Sequence, residues 1–388
     1  MSTITKTSEH LLYLMACALQ GVSAREEILA DVNLKQLLIM AGKHSVASMV
    51  CMALEKTAIF ASADEATKKH WLEAKNKAIR KNMLLDAERK TILQELEIQG
   101  IWYMPLKGSI LKDWYPKPGM REMADNDILF DSFGRKQVRE LFQNRGYKTV
   151  SFRKGNHDTY EKPPIYNFEM HVSLFQWTYK KLNEQYENVK ENLLPVDGTA
   201  YQFTFTPEDF YVFALAHAYK HYCYSRTGIR TLTDIYVMNR HLSDLMDRDE
   251  VEKKLTHLGI AEYEQHNRML AEKLFSSVRP LEEIELTEDE KEMLLYYCDM
   301  TTYRTGDDRI NNHLHELQEN SEGITLRTKL KYCCVRLFPG KGFCKFDYPF
   351  VYKHPWTLPF FWVWRIVHKG ITNRKKVKQE LVSLRKHK

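Results

Sequence analysis

Three short stretches decide the fold: Met104-Pro-Leu-Lys-Gly-Ser109, then Arg121-Glu-Met-Ala-Asp-Asn-Asp-Ile-Leu-Phe130, then Tyr166-Asn-Phe-Glu-Met-His-Val-Ser-Leu-Phe175. Asp125 and Asp127 stand two apart at the entrance to an apolar run that reads as a strand, so both side chains share one face. Two like charges held together there are costly unless a cation neutralises them. Phosphoryl chemistry uses two divalent ions ~3.5–4 Å apart on shared carboxylates, and hard oxygen ligands select Mg2+ or Mn2+. The third stretch carries one acid, Glu169, with Asn167 and His171 at period two on its face and Phe168, Met170 and Val172 facing the core. A metal shared with Asp125 and Asp127 would give Glu169 its partner. Lys107-Gly108-Ser109 follows a buried run, where glycine admits a phosphate to the backbone and lysine supplies charge. Arg121, four residues before Asp125, has the planar fork that grips a phosphate with two hydrogen bonds. A D-x-D pair alone is common on solvated turns; the combination strengthens the reading of a metal and phosphate site.

Outward from these stretches, 101–106 reads as a short buried strand limited by Pro105, and 109–115 as a short helix. A second strand covers 127–130, a helix 132–144 ends at Gly146, and 147–153 pairs with 158–162 across Gly155-Asn156. Residues 165–175 form a longer strand. The expectation is an α+β unit over 96–200, between a helical region 1–95 and a helical region 201–388 with a basic tail. In the first region Leu34, Leu37, Leu38 and Ala41, then Val46, Met49, Val50 and Ala53, recur at helical spacing. Ser23 with Glu26 reads as a capping box, and a long helix from about Ala74 ends at Gly100. Lys6 and the apolar run 11–19 faintly imitate a secretory signal, but Glu9 and His10 press against the run. Thr206-Pro207 and Thr287-Glu288-Asp289-Glu290 open later helices.

The 44% hydrophobic and 28% charged composition of the 388 residues is that of a globular chain with two or three cored modules, which excludes disorder and collagen. Seven cysteines without zinc or disulfide spacing fit a reducing, cytoplasmic setting. No apolar stretch approaches the ~20 residues of a transmembrane segment. Residues 324–388 hold 16 Lys/Arg against Asp347 and Glu380, so that end is net +14 and the rest, of a total of +6, net −8. Such a basic end suits a polyanionic partner, or a solvated face docked on the acidic remainder. Val377, Leu381 and Leu384 keep helical spacing, which predicts a short cationic helix over 372–388. Trp356, Phe360, Phe361, Trp362 and Trp364 read as core in preference to a membrane or base-stacking surface. Gly340-Lys341-Gly342 lacks P-loop spacing and reads as a turn.

Leu106-Lys107-Gly108, Arg121, Asp125-x-Asp127 and Glu169-x-His171, in that order, resemble the pattern of the uncharacterised bacterial nucleotidyltransferases of the DNA polymerase β superfamily. His217-x-x-Lys220-His221, then Arg230 and Asp234, look like that family's helical motif. The specific resemblance covers about 95–240. It implies a polymerase β-like core, a mixed sheet with flanking helices, and in-line attack by an acceptor oxygen on the α-phosphate of an NTP, releasing pyrophosphate. It implies that Asp125 and Asp127 hold two metal ions (Mg2+ or Mn2+) and Glu169 the catalytic one, where it assists deprotonation. Lys107, Gly108, Ser109 and Arg121 are the phosphate-binding candidates, and His171, His217, Lys220 and His221 the substrate-facing ones. His217 and His221, four apart, also have a zinc-compatible spacing but no H-E-x-x-H. Arg230 and Asp234 at i,i+4 also read as a plain helix pair.

Three departures from the superfamily stand out: the long gap from Ser109 to Asp125, Asn126 between the aspartates, and Glu169 in place of Asp. They leave room for an inactive nucleotide-binding module on the same fold. The basic end leaves room for a polyanion-binding module that takes RNA or membrane phospholipid. The acceptor is not dictated by the fold: a small molecule, a glycan intermediate, a protein hydroxyl and tRNA all stay open.

Overall fold

The computed structural model describes residues 4–176, 179–224, 227–299, 326–338, 344 and 348–372. Helix α1 (Lys6–Gln20) is capped by the Thr5 side chain and closed by Gly21 in the left-handed region. Its apolar run 11–19, the stretch that imitates a leader, is buried throughout and forms core. Helices α2 (Leu34–Lys43), α3 (Ala47–Leu54) and α4 (Ala58–Ser62) follow. The expected capping box at Ser23 does not form, and only a 3-10 turn, Glu26–Leu29, appears there. The Glu26 carboxylate is spent elsewhere: it accepts from the Ala58 and Ile59 N–H groups (2.6 and 3.2 Å) and caps α4.

Helix α5 (Glu65–Ile98) starts well before Ala74, because the Asp64 side chain caps it by accepting from the Thr67 N–H. Its first turns are polar and carry little apolar stripe to read. At 34 residues it is ~51 Å long. Gly100, at φ 66°, takes the left-handed turn that ends it.

The sheet comes next: β1 (Tyr103–Pro105), then helix α6 (Gly108–Leu111), β2 (Asn126–Phe130), helix α7 (Arg135–Asn144), β3 (Lys148–Ser151), β4 (His157–Lys162) and β5 (Tyr166–His171). The strand order is β1-β2-β5-β4-β3. Only β2 and β5 run parallel; the other pairs are antiparallel. This mixed sheet with flanking helices makes the protein α+β. The parallel register sets Asp127 opposite Glu169, and the β4–β5 register sets His157 opposite His171. One sheet face, with Ile128, Phe130, Tyr160, Phe168 and Met170, packs on α5 and α7 through Ile92, Leu96, Val138 and Phe142. Strand alternation therefore leaves Asp127, Glu169 and His171 on the other face. Strand β5 is shorter than the 165–175 run, because the Val172 and Ser173 N–H groups turn to the Asn156 carbonyl (2.8 and 3.4 Å).

The rest is mostly helical: α8 (Lys180–Gln185), a small pair β6 (Leu194–Pro195) and β7 (Phe203–Thr204), then α9 (Pro207–Tyr224), α10 (Arg230–Leu242), α11 (Arg248–Leu258), α12 (Ala261–Phe275), α13 (Glu288–Cys298), α14 (Leu326–Leu337), α15 (Pro349–Lys353) and α16 (Leu358–Thr372). Residues 197–201, around Gly198 at φ 79°, are an exposed turn between β6 and β7. The Thr206 hydroxyl caps α9 and Thr287 with Glu290 forms the expected reciprocal box on α13. Among the described residues no helix is long and apolar enough to cross a membrane. The aromatic group at the basic end corrects the sequence reading: Phe361 is buried, but Trp356, Phe360 and Trp364 are exposed. Helix α16 turns its Phe361–Arg365 side inward, and Phe360, Val363, Trp364 and Val367 on the opposite side are exposed. The expected tail helix beyond Thr372 and the turn 340–342 lie outside the described residues.

Candidate active site

Asp127 enters the site from β2, with Leu106 N–H bound to its carbonyl at 2.9 Å. Its carboxylate accepts from His171 Nε2 at 2.8 Å and lies 3.4 Å from Lys107 Nζ. Burial pushes the Asp127 carboxyl up, but Lys107 and the His171 bond prevail and hold it far below the usual range. Glu169, facing it from β5, lies 3.6 Å from the same His171 Nε2 and 3.8 Å from His157 Nε2. Its carboxyl is lowered: burial opposes ionisation, and the His171 contact outweighs it. At Asp125, burial, then the charges of Asp127 and Glu169, outweigh Lys107 and Arg121, which favour ionisation, and push the carboxyl up to about 6. The three acids line one cavity together with Lys107 and His171.

Lys107 reaches Asp127 because its backbone is bent back on itself, at φ 46° and ψ −112°. Such a conformation costs a non-glycine residue ~1–3 kcal/mol. The Ile110 and Leu111 N–H groups, at 3.0 and 2.9 Å from the Lys107 carbonyl, fix it. Gly108 is needed for close approach, but to protein: a Cβ there would sit 2.5 Å from Arg121 Nη1 and 3.2 Å from Met123 Sδ. Ser109 does not reach the cavity; its buried hydroxyl donates to the Leu106 carbonyl at 2.8 Å.

Arg121 also differs from its sequence reading. Its fork grips Asp234 of α10, with Nε–Oδ1 at 2.7 Å and Nη2–Oδ2 at 3.0 Å. The Tyr115 hydroxyl donates to the same carboxylate at 2.7 Å. The edge expected to hold a phosphate is thus occupied, although Arg121 still lines the cavity. Asp234 pairs across 113 positions rather than within its own helix, and Arg230 donates to the Glu122 carbonyl at 3.0 Å. Asn126 points away from the acids. It accepts from Arg89 at 2.8 Å and donates to the Leu85 carbonyl at 3.2 Å, tying β2 to α5.

Helix α9 supplies the opposite wall. His217 and His221 meet Nε2 to Nε2 at 3.3 Å, one donating to the other. Burial holds both neutral, His221 at about 3. Burial and the nearby Lys107 lower Lys220 to about 8. The acids, Lys107, His217 and Lys220 line one cavity of about 590 Å3, which also draws on Lys43 and His44 at the end of α2 and on Thr231 of α10. That volume falls within the ~300–1,000 Å3 of small-molecule sites.

The sequence reading missed His157, Asn156 and His44. His171 Nδ1 accepts from the Asn156 amide at 3.4 Å, which leaves Nε2–H for Asp127. His44 accepts from the Ile229 N–H at 3.3 Å, and burial pushes it down to about 4. His157, Glu169 and His171 present ligand atoms within 4.8 Å of one another, a nitrogen-containing set able to hold a metal ion. His157-Asp-Thr-Tyr-Glu-Lys162 alternates like any half-buried strand, and nothing local announces that His157 pairs with His171.

The model of a family described as uncharacterised nucleotidyltransferase matches residues 30–276. The match runs from α2 through α12 and includes every residue that lines the cavity. No curated protein and no solved structure matches the chain.

Proposed function

The chain belongs to that nucleotidyltransferase family, and from this premise we propose that it moves an NMP from a bound NTP to an acceptor oxygen with the help of divalent metal. The observation that carries the reading is the meeting of Asp127 and Glu169 in register across β2 and β5, with Asp125 beside them. The fit to metal rests on the donors: three carboxylates lining one cavity, Asp127 buried and Asp125 and Glu169 half-buried, with Asp125 held up at about 6 by burial and by the charges of the other two. Asp125 and Asp127 would hold two Mg2+ or Mn2+ ions and Glu169 one of them, supplying polarisation of the α-phosphate and a more acidic acceptor hydroxyl.

The chain's own residues do the rest. His171 and Lys107 orient Asp127 before any substrate arrives. Lys107 and Lys220 face the triphosphate and offset the charge that grows on its oxygens. The acceptor oxygen bonds to the α-phosphorus while the bond to the bridging oxygen opens in line. The electron pair leaves on pyrophosphate, and Glu169, kept ionised by His171, takes the acceptor's proton. Asn126, turned toward α5 and fully bonded, does not impair this face. Seven cysteines without zinc or disulfide spacing fit a reducing, cytoplasmic setting.

The test incubates the full chain with each NTP, labelled in the α- or the γ-phosphate, with Mg2+ or Mn2+ and a lysate. Label from the α-position should appear on a small molecule, glycan intermediate, protein or tRNA, and Asp127→Asn should abolish it. NTP binding without any transfer would make the chain an inactive nucleotide-binding module.

A further inference from the structure

Helix α16 is amphipathic in reverse. Trp356, just before it, and Phe360, Val363, Trp364 and Val367 fall at spacings of four, three, one and three, one helical stripe. They are 70%, 72%, 65%, 49% and 56% exposed. The inward side carries Phe361 and Arg365, each 6% exposed. Phe361 packs on Tyr348 (ring centres 4.6 Å apart), and Arg365 donates to the Leu337 carbonyl at 3.4 Å. The guanidinium is covered and the aromatic stripe faces out, the opposite of a helix docked on its own protein.

We propose that this stripe seats α16 in the plane of an anionic lipid bilayer surface. Charge selects that occupant. Residues 348–372 contain Lys353 and Lys369 besides the covered Arg365, and no Asp or Glu, within an end that is net +14 over 324–388. Two copies meeting stripe to stripe would bring like charges together, whereas an anionic leaflet attracts each cation near it. RNA would satisfy the cations but not Val363 and Val367. Trp settles at the depth of lipid headgroups, and Phe belongs to the apolar face that interfacial helices bury. With 15 residues the helix is ~22 Å long, too short to span a hydrocarbon core of ~30 Å, so it lies on the surface.

The experiment sediments the full chain with vesicles of phosphatidylcholine containing about one third phosphatidylserine, and with phosphatidylcholine alone. Binding to the anionic vesicles should exceed binding to neutral ones by about tenfold and weaken with salt. The double variant Phe360→Glu, Val367→Glu should lose about tenfold or more, as expected when apolar burial is exchanged for charge. Its melting temperature and its NTP-induced thermal shift should match those of the parent chain. Three results would overturn the proposal: no binding to anionic vesicles at low salt, equal binding by the double variant, or a dimer that the double variant dissolves while vesicles are ignored.

Discussion

At neutral pH Asp125 has to ionise beside Asp127 and Glu169 in a site that gives it little water. Its folded pKa of about 6 lies above the ~3.9 of an unfolded aspartate, so the folded chain holds the proton more tightly. Its contribution is therefore fully present below about pH 4 and is lost as the pH rises through about 6, a swing on the order of 2 kcal/mol. Asp125→Asn should remove that part of the slope, raise the stability of the metal-free chain at pH 7 by about 1–2 kcal/mol, and abolish transfer. Urea melts from pH 4 to pH 8 check this; a less stable variant would mark Asp125 as structural. Lys107 gives a second residue-scale test. Because its φ is 46°, Lys107→Gly should be more stable than Lys107→Ala by about 1 kcal/mol, while both lose NTP affinity. The facing of Asp127 and Glu169 away from the core was legible because strand alternation dictates the face, and the acids stood out on an apolar run. The engagement of Arg121 was not, because Asp234 lies 113 positions away and a guanidinium looks the same whichever anion it meets. Asp234→Ala should cost about 3–5 kcal/mol, the scale of a buried pair deprived of one partner.

Among the elements, α5 is the rail on which the site is mounted. It binds the Arg121 carbonyl through Asn82 at 3.0 Å and holds Asn126 through Arg89 and the Leu85 carbonyl. Asn126→Leu should therefore destabilise the chain by about 1–3 kcal/mol in a urea melt, because a buried donor and acceptor lose their partners. An unchanged midpoint would deny α5 this role. The sheet was readable strand by strand, from short apolar runs and turn glycines. Its order was not, since the β2–β5 pairing skips α7, β3 and β4 and carries no local signal. For the same reason His157 escaped notice.

At the scale of the whole molecule, the cavity takes Lys43 and His44 from the N-terminal helices, the acids from the sheet, and Lys220 and Asp234 from the helices beyond. The α+β class was legible in the change of period near Gly100; the closing of three regions over one cavity was not. Nor was the outward face of α16, since composition reports an apolar stripe without saying what covers it. The exposed turn at 197–201 cuts this shared cavity along the chain. A break there would leave Asp125, Asp127, Glu169 and Arg121 on one piece, and Lys220 and Asp234 on the other. Each piece would own half of the Arg121–Asp234 grip and expose a raw half-core. Expressed together, the two pieces should find each other and regain nucleotide binding that neither has alone, so the gene lends itself to a split reporter.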